Sequence, residues 1–96
     1  FPGQSKFHYS PGIPIRLNVK KHNLDEAFVL IQKRKKFDKN YFYLSKNKNL
    51  KEAGKNLYKT LRNIKRLKFK KIAVEKIPNI GIGQTINDRL KRASKR

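Results

Sequence analysis

Two glycines one residue apart, Gly81-Ile82-Gly83, stand before a segment in which Ile86, Leu90 and Ala93 recur at i, i+4 and i+7. A glycine turn that opens a helix can cradle an anion, because the first N–H groups of a helix lack internal partners. No G-x-G-x-x-G and no G-x-x-x-x-G-K-[ST] surrounds this pair, so the preferred reading is a turn in which glycine permits positive φ. A second candidate is the run Lys33-Arg34-Lys35-Lys36 followed by Phe37. It offers charge for phosphates and a ring on which a base could stack. The same residues also make an ordinary solvated hairpin loop, and no RRM, KH or helix-turn-helix pattern supports a dedicated reader.

The histidines are His8 and His22, and there is no cysteine. His22 stands among Lys20, Lys21 and Asn23 and reads as a surface residue. A metal site needs several closely placed His, Cys or carboxylate side chains, and none is expected. The six acids, Asp25, Glu26, Asp38, Glu52, Glu75 and Asp88, are scattered. Asp25-Glu26 reads as a turn before a strand. No pair is placed for acid–base work, and no Ser or Thr has a neighbouring base. No catalytic residue is therefore assigned within this chain.

The elements that must position these groups follow from periodicity. Phe1 to Pro14 holds Pro2, Gly3, Pro11, Gly12 and Pro14 without a period of 2 or 3.6, and reads as an extended linker arm. Ile13, Ile15, Leu17 and Val19 alternate as a half-buried strand. Ala27 to Ile31 is a continuous apolar run, the mark of a central strand buried on both faces. Tyr41 to Leu44 is a third strand. Asn49 to about Leu67 is the main helix, with Asn49 as cap and Glu52 completing a capping box. Leu50, Ala53, Leu57, Leu61 and Ile64 form its apolar stripe; Lys51, Lys55, Lys59, Arg62 and Arg66 form a basic stripe on the opposite side, toward water. Ile72 to Ile77 is the fourth strand, and Thr85 with Asp88 reads as the capping box of a final helix. The expectation is an α/β domain over residues 15–96: a small Rossmann-like, three-layer fold, ordered β-β-β-α-β-α, with a mainly parallel or mixed four-stranded sheet and two helices.

Composition sets the outer bounds. Leu, Ile, Val and Phe supply 27 of 96 residues, enough for one thin core. The net charge is +20, from 26 Lys+Arg against 6 Asp+Glu. Lys outnumbers Arg 19 to 7, and Asn and Ile number nine each, which is what an AT-rich genome imposes on surface positions. Such a surface binds polyanions such as RNA weakly and in a salt-dependent way. No segment approaches the ~20 apolar residues of a membrane span. The absence of methionine reads as a segment of something longer, and a cytoplasmic location is the default expectation.

Several of these words carry a resemblance. Gly81-Ile82-Gly83, Ile86-Asn87-Asp88-Arg89-Leu90 and Arg92-Ala93 resemble the C-terminal signature of the long, two-domain threonylcarbamoyl-AMP synthases. Pro2-Gly3, Lys6, His8-Tyr9-Ser10-Pro11 and Pro14 resemble the linker that joins their YrdC-like catalytic domain to the C-terminal domain. Ala53, Asn56-Leu57-Tyr58 and Leu61-Arg62 are similar to the middle helix. The sequence departs from the pattern in its basic surface and at Phe1, Gln4 and Thr85. The resemblance implies a Rossmann-like accessory domain of a nucleotidyltransferase that condenses L-threonine, bicarbonate and ATP for tRNA modification. It implies that ATP, with magnesium, belongs to the catalytic domain. It further implies that Lys6, His8, Tyr9 and Pro11 form a lid over that nucleotide site, and that Asn87, Asp88 and Arg89 are structural positions. The alternative from composition alone is a small basic RNA-binding module.

Overall fold

A computed structural model describes residues 12–94. Four strands and two helices follow in the order β1 (Ile15–Arg16), β2 (Glu26–Leu30), β3 (Tyr41–Tyr43), α1 (Leu50–Arg66), β4 (Lys71–Val74) and α2 (Ile82–Ser94). The sheet order is β1-β4-β2-β3, and all three pairings are parallel. The α/β class, the element order and the parallel sheet are as the sequence predicts. β2 is the interior strand that its unbroken apolar run implies. It lies between β4 and β3, and all five of its residues are buried.

The first strand is shorter than its alternation suggests. Asn18 takes a left-handed φ of 57°, which breaks the ladder after Arg16. The chain rejoins the sheet one residue later, where the Val19 N–H donates to the Val74 carbonyl at 3.1 Å. The connection from β2 to β3 is not a hairpin. The two strands are parallel, with Phe28 opposite Tyr41 and Leu30 opposite Tyr43, so residues 31–40 must carry the chain back along the sheet.

In α1 the two stripes part as helical spacing requires. Ala53, Leu57, Leu61 and Ile64 are buried, whereas Lys51, Lys55, Lys59, Arg62 and Arg66 are exposed. Asn49 caps the helix, its side-chain oxygen accepting the Glu52 N–H at 3.0 Å. Glu52 does not close the expected box. Its carboxylate accepts the Lys46 N–H at 3.2 Å, because the Asn49 N–H already donates to the Ser45 hydroxyl at 2.9 Å.

The second helix begins earlier than the Thr85–Asp88 pair suggests. α2 starts at Ile82, so both residues lie inside it and form no capping box. Asp88 instead pairs with Arg92 one turn on, at 3.2 Å.

The three-layer expectation gives way to two layers among the described residues. Both helices pack on one face of the sheet, in a single core of Ala27, Val29, Ile31, Ile72 and Val74 with Leu57, Leu61, Ile64, Ile86 and Leu90. The helices also pack on each other, with Gly54 of α1 close beneath Ile82 and Ile86 of α2. The other face carries Phe28, Leu30 and Ala73, flanked by Val19, Tyr41 and Tyr43. Among the described residues three strands precede the first helix and are joined only by loops, and no described helix lies on that side.

Candidate functional site

The expected lid residues Lys6, His8, Tyr9 and Pro11 lie outside the described residues. The remaining candidates are placed, and most prove to be committed to the fold.

The glycine turn is built for packing. Gly81 holds a φ of 52°, a left-handed conformation that favours glycine. Gly83 is buried, and a Cβ on it would run into the carbonyl oxygen of Pro78. The Gly83 N–H donates to the Ile80 carbonyl at 2.8 Å and the Gln84 N–H to the Gly81 carbonyl at 3.1 Å. Donors that an anion would need are thus used by the turn itself. Asn87 locks the same turn from the helix, donating to the Ile77 carbonyl at 3.0 Å and the Asn79 side-chain oxygen at 3.2 Å. Arg89 lies over the Tyr58 ring at 5.7 Å. Asn87, Asp88 and Arg89 all make intramolecular contacts, as structural positions do.

His22 and Asp25-Glu26 differ from their sequence readings. His22 is not a surface residue: its side chain is 13% exposed. Its ring packs against Phe28 at 5.3 Å and Tyr41 at 5.8 Å, and its nitrogens face the Asn23 carbonyl at 2.6 Å and Asp38 at 3.1 Å. The Asn40 N–H, before any contribution from His22, holds the Asp38 carboxyl below its ordinary range. Glu26 is no solvated turn residue. It is 1% exposed and takes both its Arg16 bonds at 2.7 Å, with the Asn23 N–H on the same carboxylate at 2.7 Å. The Arg16 hydrogen bonds hold Glu26 below the usual carboxylate range against the opposing pull of burial. The signal for this pair was a carboxylate adjoining a fully apolar strand, where an acid is buried only if paired.

The basic run is split by its own chemistry. The Arg34 guanidinium sits 5.4 Å above the Phe28 ring and 5.5 Å from that of Tyr41, and it bonds Glu75 at 3.1 Å. The other Glu75 oxygen accepts the Ile31 N–H at 2.7 Å. Arg34 therefore helps seal the helix-free face of the sheet. Phe37 remains 84% exposed.

The basic stripe of α1 does more than face water, which its spacing alone could not reveal. A hollow of about 730 Å³ lies between α1 and the outer edge of β3, lined by Phe42, Tyr43, Asn56, Lys59, Arg62 and Arg66 among others. A second hollow of about 370 Å³ shares Tyr43 and Asn56 with it and continues to Lys33 and Lys46. Among the described residues, no group of three or more His, Cys, Asp or Glu could hold a metal ion. No described helix is long and apolar enough to cross a membrane.

The profile of the family described as "Threonylcarbamoyl-AMP synthase, C-terminal domain" matches residues 1–95. Comparison with curated proteins and with solved structures gives no match.

Proposed function

Since the chain belongs to the threonylcarbamoyl-AMP synthase C-terminal domain family, we propose that it is the accessory part of an L-threonylcarbamoyladenylate synthase. The observation that carries this reading is a match that takes in the arm and the folded domain together, residues 1–95. In this reading a YrdC-like catalytic domain binds ATP with magnesium and condenses it with L-threonine and bicarbonate, releasing pyrophosphate. The product feeds tRNA modification in the cytoplasm.

This chain contributes the arm over residues 1–14 and an anchor for it. Lys6, His8, Tyr9 and Pro11 close over the nucleotide site of the catalytic domain. The Tyr9 ring packs on that domain while its hydroxyl finds a buried partner, the arrangement in which a tyrosine contributes most. The domain beyond residue 14 supplies a fixed base, with its sheet and both helices joined in one core. It makes no bonds to the reacting groups.

The test is ATP–pyrophosphate exchange with threonine and bicarbonate. The isolated chain is expected to show none. In the joined protein, Tyr9→Ala should weaken ATP use by ~1–3 kcal/mol, the loss of ring packing and one buried hydrogen bond. The melting temperature of the C-terminal domain should hardly move. Threonine-dependent exchange by the isolated chain, or lost domain stability with unchanged kinetics in Tyr9→Ala, would overturn the reading.

A further inference from the structure

We infer that the groove between α1 and the open edge of β3 is a binding site for single-stranded RNA. The inference is independent of the lid and would stand if the lid reading failed.

The groove runs through both hollows. At one end lie Lys33 and Lys46; at the other lie Lys59, Arg62 and Arg66; Tyr43 and Asn56 are common to the two. Five cationic side chains thus line one continuous surface. The acid among the lining residues is Glu52, whose carboxylate already accepts the Lys46 N–H. Lys59, Arg62 and Arg66 are exposed, and among the described residues none of them pairs with a carboxylate. The bond made by Arg66 is to the neutral Asn63 side chain, at 2.9 Å. Most described lysines likewise hold no acid, since Arg16, Arg34, Lys71 and Arg92 are the described Lys and Arg residues that do; what sets Lys59, Arg62 and Arg66 apart is that they line one hollow. Five cations against one acid leave a net charge of +4 in a concave site, which calls for a polyanion.

The aromatic wall favours a single strand. Phe42, half-buried, lies on the helix side of β3 in the wall of the groove beside the cations, whereas Tyr43 borders the groove with its ring packed on the helix-free face near Tyr41. A ring beside such charge suits unpaired bases, whose faces are free to stack while their phosphates meet Lys and Arg. A duplex hides those faces. β3 adds a row of backbone groups, since among the described strands it pairs with β2 alone and its outer edge borders the groove. From Asn56 to Arg66 the helix rises ~15 Å, long enough to follow a few nucleotides of backbone. Amide side chains from Asn56 and Asn63 lie along the same path, although the Asn56 amide is engaged with the Leu44 carbonyl at 2.9 Å.

The experiment is fluorescence anisotropy of a labelled eight-nucleotide uridine strand with the 96-residue chain between 50 and 200 mM salt. Three arms discriminate the outcomes: the triple variant Lys59→Gln/Arg62→Gln/Arg66→Gln, the charge-matched control Lys20→Gln/Lys76→Gln/Lys91→Gln, and an eight-base-pair RNA duplex as competitor. All six positions are exposed, so both variants should fold with unchanged melting curves. The groove variant is expected to lose at least tenfold in affinity at 100 mM salt. Its log–log salt slope should be shallower by about 2, at ~0.7 per phosphate contact over three contacts. The control is expected to lose less than threefold. Equal losses in the groove variant and the control would reduce the binding to diffuse charge and overturn the site. Tighter binding of the duplex than of the single strand would overturn the ligand class.

Discussion

Gly83→Ala puts the packing account of the glycine turn at risk, because two effects of opposite sign compete there. Alanine is the better helix former by ~1 kcal/mol, so replacing an unconstrained helix glycine should stabilise the protein. At Gly83 the added methyl meets the Pro78 carbonyl oxygen, and Leu50 Cδ1 lies 3.5 Å away. That oxygen belongs to the backbone of a turn that Asn87 ties down at Ile77, so it cannot swing aside as a side chain would. The clash is relieved by moving α2, and with it Ile86 and Leu90, away from the shared core. Overpacking of this kind costs ~1–3 kcal/mol or more. Displacing the backbone places the expected cost at or above the top of that range, leaving a net loss of ~2 kcal/mol or more. For a domain of this size that lowers the melting temperature by ~8 °C or more. Gly54 in α1 supplies the opposite case. Its added Cβ would sit 3.4 Å from Ile82 Cγ2, an ordinary contact. Gly54→Ala should therefore gain up to ~1 kcal/mol. Urea unfolding followed by circular dichroism reads both, through the midpoint at constant slope. Stabilisation by Gly83→Ala would show that the turn relaxes freely and that the glycine has another purpose.

Two further outcomes follow from the buried polar contacts. Glu26→Gln should cost ~1–2 kcal/mol in urea unfolding, kept modest because the Arg16 side chain left behind is half exposed and can be solvated. The carboxyls of Glu26 and Asp38 are both held below their ordinary values, so the stability they contribute is present above the unfolded-state range and is lost as pH falls below ~4. The variant should flatten that acid limb in a pH series of melting temperatures, and an unaltered limb would refute the pairing. Asn87→Ala strands the carbonyl of the buried Ile77 and should cost ~1–2 kcal/mol, whereas Asp88→Ala on the exposed surface should change stability by less than ~0.5 kcal/mol.

Much of the fold was legible because it rests on period and run length. The 3.6 spacing of Ala53, Leu57, Leu61 and Ile64 finds the main helix, and the unbroken run after Glu26 finds the interior strand. Capping was only half legible. Asn49 caps as its type suggests, but which N–H the Glu52 carboxylate meets depends on Ser45, and no local pattern shows that Ser45 has taken the Asn49 N–H. The layer count was not legible either. It depends on which face receives each helix, and that is decided by contacts between α1 and α2 across residues far apart in the chain. For the same reason His22 reads as solvated among its lysines, yet packs on Phe28 and Tyr41 from another part of the sequence.

The charge distribution shows where sequence proximity misleads about binding. Lys33-Arg34-Lys35-Lys36 is the densest basic run, but density along the chain is not density in space. Arg34 turns back onto two aromatic rings and spends its charge on Glu75. It closes the sheet face that no described helix covers, and this use of a cation is structural. The cations that remain concentrated lie elsewhere, a helical turn apart on α1, where every third or fourth residue returns to the same side. Facing the open edge of β3 makes that stripe the wall of a groove. A strand edge bounded by Lys59, Arg62 and Arg66 is also poorly suited to pairing with another strand, since exposed charge is a common guard against edge-to-edge association. A polyanion reverses that effect, because the charges that repel a second copy of the same basic surface attract phosphates. Removing the three charges should therefore weaken RNA binding and increase self-association together, and light scattering on the groove variant measures the second half of that pair. Loss of binding without any rise in self-association would mean that the edge is guarded by other means, and that the stripe serves the polyanion alone.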